Sequence, residues 1–363
     1  MKLDIVILGL SITSSWGNGH ATTYRGLVRE LARRGHRVGF LERDAPWYAG
    51  NRDMPRPPWG DTHLYSSLQE LKDTHHRRVR DADLAIVGSF VPLGSEVGKW
   101  VVETARGLTA FYDIDTPVTV ARLARGDCDY LSRELIPCYD LYLSFTGGPV
   151  LRHLEQELGA RAARPLHCSV DPELYQPHAR APRWDLGYLG TYSDDRQPAL
   201  QRLMLDAAEQ LPGARFVVAG PQYPEALRWP ANVRRITHLS PREHAAFYNA
   251  QRFTLNVTRA DMVRWGYSPS VRLFEAAACG VPIISDAWPG LETLFAPGKE
   301  ILLSRDAGDT VRWLGELPER ERARIGVRAR QRVLGSHTAA HRAIELEGYV
   351  AEVRETALRR IGS

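Results

Sequence analysis

One stretch, Leu255 to Glu292 (LNVTRADMVRWGYSPSVRLFEAAACGVPIISDAWPGLE), limits what this chain can fold into more than any other. Leu255-Asn256-Val257 reads as the end of a buried strand, and a polar loop follows to Tyr267. Ser268-Pro269-Ser270 has the form of a helix start. Proline is tolerated in a first turn, where its missing N–H would lack a partner, and serine hydroxyls cap free amides. Val271, Leu273, Phe274 and Ala276 to Ala278 suit a short helix packed closely on a sheet. Gly280 stops that helix, and Val281 to Ile284 begins the next buried strand. The amides and dipole at such a helix start form an anion site, suited to a diphosphate. Glu275 lies one turn further in, within reach of a ligand's hydroxyls. The plainer reading is a βαβ crossover with a tidy helix start and no ligand.

The run E-A-A-A-C-G-V-P-I-I-S-D resembles the E-A-x-A-x-G-x-P-[VI] segment of GT-B glycosyltransferases of the group 1 type. Three pieces at one spacing are similar to the CgeB-like branch of bacterial proteins: Asn256 to Asp261, the Pro-Ser-x-Arg-Leu-Phe-Glu run, and Trp-Pro-Gly-Leu-Glu. The resemblance implies two Rossmann-like domains facing across a cleft, a nucleotide-sugar donor and transfer of its sugar. It also implies diphosphate contacts at Ser268, Ser270 and Arg272, and ribose contacts at Glu275. GT-B enzymes do not generally need a metal, so neither metal nor cofactor is expected. Retaining members commonly pair the glutamate at Glu275 with another eight residues earlier. Tyr267 stands there, with Asp261 close but out of register, so retention is only a lean.

With 363 residues the chain is long enough for about two domains. No apolar run approaches the roughly 20 residues that span a bilayer. The opening MKLDIVILGL is interrupted by Asp4 and reads as a first buried strand rather than a leader. The net charge of +4 invites a nucleic-acid reading. Yet the basic residues, all arginine except Lys2, Lys72, Lys99 and Lys299, are spread along the chain and matched by 43 acids. A dedicated nucleic-acid binder concentrates its charge, so none is expected as partner. Cys128, Cys138, Cys168 and Cys279 lack metal-like spacing and read as free thiols of a cytoplasmic protein.

After the first strand, SITSSWGNGH (Ser11 to His20) is a polar loop ahead of a helix from about Ala21 to Arg34. Gly17 and Gly19 only partly fit a dinucleotide fingerprint, since Thr22 occupies the third place. By resemblance the loop reaches the cleft, where Gly17, Gly19 and His20 are candidate donor or catalytic contacts; a simple first-turn role for His20 is equally open. Ala45 to Asp61 is proline-rich and aromatic, which suits an ordered loop lining an acceptor site or plain packing. Asp113-Ile114-Asp115-Thr116-Pro117 follows the strand Leu108 to Tyr112. Capping of the next helix accounts for Asp115 or Thr116, which leaves Asp113 expected at the sheet's carboxyl edge as a catalytic carboxylate.

His167 to Pro177 resembles the segment that closes the first domain in group 1 enzymes, with Cys168-Ser169 replacing the usual Asn-Gly. The expected domains are therefore 1–177 on the acceptor side and 178–337 on the donor side, with 338–363 a helix returning to the first. Arg196, after the second domain's first strand, is the candidate for the donor's phosphates, or else a solvated first-turn arginine. Thr237 to Ser240 would lie beside the nucleobase. The expected activity is glycosyl transfer from a nucleotide-sugar to an acceptor. A nucleotide-sugar epimerase of the same architecture, or a silent nucleotide-sugar binder, remains an alternative.

Overall fold

The computed structural model describes residues 2–17 and 19–361. The chain forms two compact units, one of residues 1–168 with 339–363 and the other of residues 169–338. In the first, seven strands run β1 (Asp4–Gly9), β2 (Arg37–Arg43), β3 (Asp61–Tyr65), β4 (Leu84–Gly88), β5 (Leu108–Asp113), β6 (Leu141–Ser144) and β7 (Ala163–Pro165). They form one parallel sheet in the order β3-β2-β1-β4-β5-β6-β7. In the second, β8 (Trp184–Leu189), β9 (Phe216–Ala219), β10 (Val233–Ile236), β11 (Gln251–Asn256), β12 (Ile283–Ser285) and β13 (Leu302–Leu303) follow. Their order is β10-β9-β8-β11-β12-β13, again all parallel.

Continuous apolar runs such as Ile5 to Leu8 and Leu84 to Val87 have no exposed surface, as expected of strands covered on both faces. Each order reverses direction once, between β1 and β4 in the first unit and between β8 and β11 in the second. Open α/β sheets bind ligands outside the carboxyl ends of the strands at that reversal.

The helix Ala339–Ile361 packs against the helix His20–Arg33 within the first unit. Gly26 permits the approach, because a Cβ there would stand 2.9 Å from the Ala339 Cβ. Glu347 fixes the pair, bonding Arg34 Nε at 2.7 Å and His36 Nε2 at 2.6 Å. Since His36 Nδ1 accepts the Leu3 amide at 3.1 Å, Nε2 is the donating nitrogen. Among the described residues no helix is long and apolar enough to cross a membrane.

Candidate functional site

The first unit's reversal point is built by the loops after β1 and β4. Glu42, on β2 and fully buried, organises the first of them. Its carboxylate accepts from the amides of Ile12 (2.7 Å) and Thr13 (3.0 Å), and from the hydroxyls of Ser11 (3.0 Å) and Thr13 (2.6 Å). Arg25 adds a fork onto Asp53 at 2.8 and 2.9 Å, and its Nε donates to the Ile12 carbonyl at 2.8 Å. Such planar two-point pairing fixes geometry as well as charge. The stretch from Ala45 onward is therefore ordered by the β1 loop: the Met54 amide bonds Thr13, and Ser14 bonds the Asn51 carbonyl. A strand, β3, begins at Asp61, where the expected loop ends; no strand was expected over these residues.

Gly17 takes φ +60°, a left-handed conformation that favours glycine, whereas Gly19 is the N-cap residue with a right-handed backbone that any residue adopts. Open space lies beside both, so neither exists to let other protein atoms approach. His20 opens the helix, its half-buried ring stacked on Phe90 (5.9 Å) and edge-on to Phe145 (6.4 Å). Burial lowers its pKa to about 4, so the imidazole is neutral at pH 7. Phe90 holds this contact from a left-handed backbone (φ +64°) just past β4, a costly conformation for an aromatic residue.

Asp113 does not emerge at the sheet edge as expected; it is fully buried. Its Oδ2 accepts from the Tyr142 hydroxyl at 2.6 Å, and Oδ1 accepts from Thr119 Oγ1 at 2.8 Å and the Asp115 amide at 3.2 Å. The expected capping by Asp115 or Thr116 is also corrected. Asp115 is the N-cap without a side-chain cap bond, and the Thr116 hydroxyl turns to Asp113 O and Ser144. Asp113 is the carboxylate that receives the turn's amide, which draws it inward. Burial raises its pKa, against the pull of those donors.

In the second unit the helix Val271–Ala278 starts beside the ends of β11 and β12. Ser268 is buried, and Ser270 and Arg272 are half-buried. Asn256, the last residue of β11, binds both through Oδ1: Ser270 Oγ at 2.8 Å and Arg272 Nη1 at 3.0 Å. Its Nδ2 donates to Ser285 Oγ at 3.0 Å, which fixes the amide's orientation. Arg272 also donates to the Leu189 carbonyl at the end of β8, and its guanidinium lies 4.8 Å over the Tyr188 ring. Asp286 pins the loop after β11, accepting from the Thr258 amide (3.0 Å) and hydroxyl (2.9 Å). Glu275 is almost wholly buried, accepts from the Tyr248 hydroxyl at 3.0 Å and has His244 Nδ1 at 3.8 Å.

Arg196 follows β8 and donates to the Thr191 carbonyl at 2.8 Å. Tyr267 has φ +50°, and its ring packs on Gly290, where a Cβ would lie 2.4 Å from it. Asp261 pairs with Arg264 at 3.0 Å. A depression of about 340 Å³, lined by Trp288, Leu291, Glu292 and Leu303 among others, opens past β12 and β13. The second unit thus joins Ser270 and Arg272 at the end of β11, with Ser268 buried two residues ahead of Ser270, while Gly17, Gly19, His20 and Asp113 belong to the first. Sequence reasoning missed Glu42, Phe90, Asn256 and Asp286 as site builders. Acids beside apolar runs (FLER, IISD) were the available signal for two of them.

Residues 196–348 match a family model described as glycosyl transferase-like. Comparison with curated proteins finds no match. Among solved structures, sucrose-phosphate synthase from Thermosynechococcus elongatus superposes with a TM-score of 0.72 at 16% identity, over 97% of this chain and 100% of that one. Anabaena HepE in complex with UDP and glucose gives 0.71 at 12% identity, over 96% and 100%. An alpha-glucosyltransferase in complex with UDP-glucose and DNA gives 0.72 at 13% identity, over 97% and 100%. The chain therefore has the GT-B fold of two parallel-sheet, Rossmann-like units, and its residues 196–348 are similar to the glycosyl transferase-like family model.

Proposed function

We propose that this protein is a glycosyltransferase that binds a nucleoside diphosphate sugar in its second unit and moves the glycosyl group to an acceptor. The carrying observation is the start of the helix Val271–Ala278, where Ser270 and Arg272 are both held by Asn256 at the sheet's reversal point. As the glycosidic bond to phosphate breaks, negative charge collects on the diphosphate. Donors already in place, here the helix amides and the Arg272 and Arg196 guanidiniums, stabilise that charge without rearranging. Glu275 takes the ribose hydroxyls in this reading. The UDP and UDP-glucose bound by the structural neighbours support a uridine diphosphate sugar as the donor class. The Asn256 to Glu292 run supports the CgeB-like branch, the GT-B fold supports a metal-independent enzyme, and the four free cysteines support a cytoplasmic one.

On the first unit we place the chemistry at His20, whose neutral imidazole can accept a bond from an acceptor hydroxyl. Gly17 and Gly19, with open space beside them, keep the loop backbone within a ligand's reach. Asp113 is assigned to holding the start of the helix Thr116–Arg125.

The test is incubation with UDP-glucose, UDP-galactose, UDP-N-acetylglucosamine and GDP-mannose, with and without an acceptor panel of glycans, peptides and small alcohols. Nucleoside diphosphate release that requires an acceptor, with a product heavier by one glycosyl unit, is expected. Its anomeric configuration tests the expected retention. Epimerised donor, or donor bound but never consumed, overturns the proposal.

A further inference from the structure

We infer that Arg235 is a third cation of the donor site, set against the nucleotide's diphosphate beside Arg196 and Arg272. This rests on the donor reading above. Arg235 lies on β10, half-buried, and donates to the carbonyls of Val218 (2.6 Å) and Gly220 (2.9 Å). Its guanidinium stacks 4.0 Å from the Tyr223 ring centre and 4.7 Å from that of Trp229.

Gly220, at φ +143°, lies against the end of β8, since a Cβ there would stand 2.0 Å from the Gly190 carbonyl oxygen. The Tyr223 hydroxyl donates to that same oxygen at 3.2 Å. Arg196 binds the next carbonyl, Thr191, and Arg272 Nη2 is 2.9 Å from where a Gly190 Cβ would be. All three guanidiniums therefore gather on the paired turns Gly190-Thr191 and Gly220. The Tyr223 phenol registers them together: burial and Tyr188 raise its pKa, and Arg235, Arg196 and Arg272 each oppose the rise.

Among the described residues none of the three pairs with a carboxylate; their bonds go to neutral oxygens. Nearby Arg259, by contrast, has Asp195 at 3.2 Å. Three half-buried like charges with no directly paired carboxylate repel one another, and the nearest acid to Arg272 on this network, Asp286, reaches it only through the Asn256 amide. A multiply charged anion at these turns relieves both costs. Carbonyls take two of the five N–H groups on Arg235, which leaves donors for a phosphate. The competing account makes Arg235 a brace for the Gly220 turn and nothing more.

Calorimetry with UDP, and uridine by competition, separates the two on wild type, Arg235→Gln, Arg235→Lys and Arg272→Gln. Loss of one charge-assisted contact predicts that Arg235→Gln weakens UDP about tenfold and uridine less than about twofold. Its UDP affinity should also depend less on salt. Arg235→Lys loses the stacked fork that braces the Gly220 turn but keeps the charge, so both affinities can fall together while the UDP-to-uridine ratio should stay within about twofold of wild type. Equal weakening of both ligands by Arg235→Gln, or a lower melting temperature with the ratio unchanged, overturns the inference. Should Arg235→Gln fail to fold, Arg235→Lys decides, and a tenfold fall in its ratio overturns it. If Arg272→Gln also leaves UDP binding intact, the donor reading itself fails. If only Arg235→Gln does, that reading stands.

Discussion

Replacing Asp113 by alanine or by asparagine separates a structural carboxylate from a catalytic one. Alanine removes the acceptor for the Tyr142 hydroxyl, the Thr119 hydroxyl and the Asp115 amide. Thr119 keeps Tyr130 at 2.9 Å, so the buried Tyr142 hydroxyl bears most of the loss. A buried donor left unsatisfied costs about 1–3 kcal/mol, which with the cavity comes to roughly 3 kcal/mol. For a unit of this size that lowers Tm by roughly 6–12 °C.

Asparagine keeps one oxygen for Thr119 and Asp115, and its amide donates to a Tyr142 hydroxyl that rotates to accept. Asparagine also removes the cost of ionising a buried group. Asp113→Asn should therefore stay within about 1 kcal/mol of wild type, with kcat within about threefold. The pH dependence has a definite sign. The folded pKa is raised, so the stability linked to the protonated carboxyl is fully present below about pH 3.9 and is lost as pH rises through the folded value. The wild type's advantage over Asp113→Asn should thus be largest in acid and shrink towards neutrality. Thermal melts across pH, with nucleoside diphosphate release as the rate assay, check both halves. A fall in kcat of about 100-fold or more in Asp113→Asn, with Tm held, refutes the structural assignment and makes the carboxylate catalytic.

Gly190→Ala would place a methyl 2.6 Å from the Tyr188 hydroxyl and 2.9 Å from Arg272 Nη2. Arg272 should yield, with UDP affinity falling about tenfold by calorimetry, while Gly213→Ala, in open space, leaves it unchanged. Glu275→Gln should weaken UDP and uridine alike by roughly tenfold, since a ribose contact is shared by both; an effect on UDP alone would point to the phosphates instead. Glu347 has its pKa lowered to about 2, chiefly by Arg34. Its contribution is present above about pH 4.5 and is lost as pH falls towards 2. Glu347→Gln should cost about 1–2 kcal/mol at pH 7 after solvent screening, and the difference in Tm should close in acid.

The two sheets were legible because buried parallel strands are uninterrupted apolar runs, as in Ile5 to Leu8, Leu84 to Val87 and Phe216 to Ala219. The helix start at Ser268 to Arg272 was legible in place but not in mechanism: Pro269 lies before the N-cap Ser270 rather than in the first turn, and the Ser270 hydroxyl makes no cap bond but donates to Asn256 Oδ1. β3 was hidden because DTHLY lies at a sheet edge with one buried side chain. Asp113 was misplaced because period-two reasoning gives a side chain's face and not what covers it; Tyr142 and Thr119 cover this one, from elements distant in sequence or a turn away. Asn256 looked like an ordinary strand end for a related reason, since its role lies in long-range bonds to Ser270, Arg272 and Ser285. Arg235 stood among many scattered arginines, and only the fold gathers it with Arg196 and Arg272.

Hydrogen exchange with and without nucleotide tests the central claim most directly. If the helix start grips a diphosphate, UDP or GDP should slow exchange across residues 268–275, and the matching nucleoside should do so far less. Equal protection by nucleoside and diphosphate, or none from any nucleotide, would contradict a phosphate site at Ser268 to Arg272.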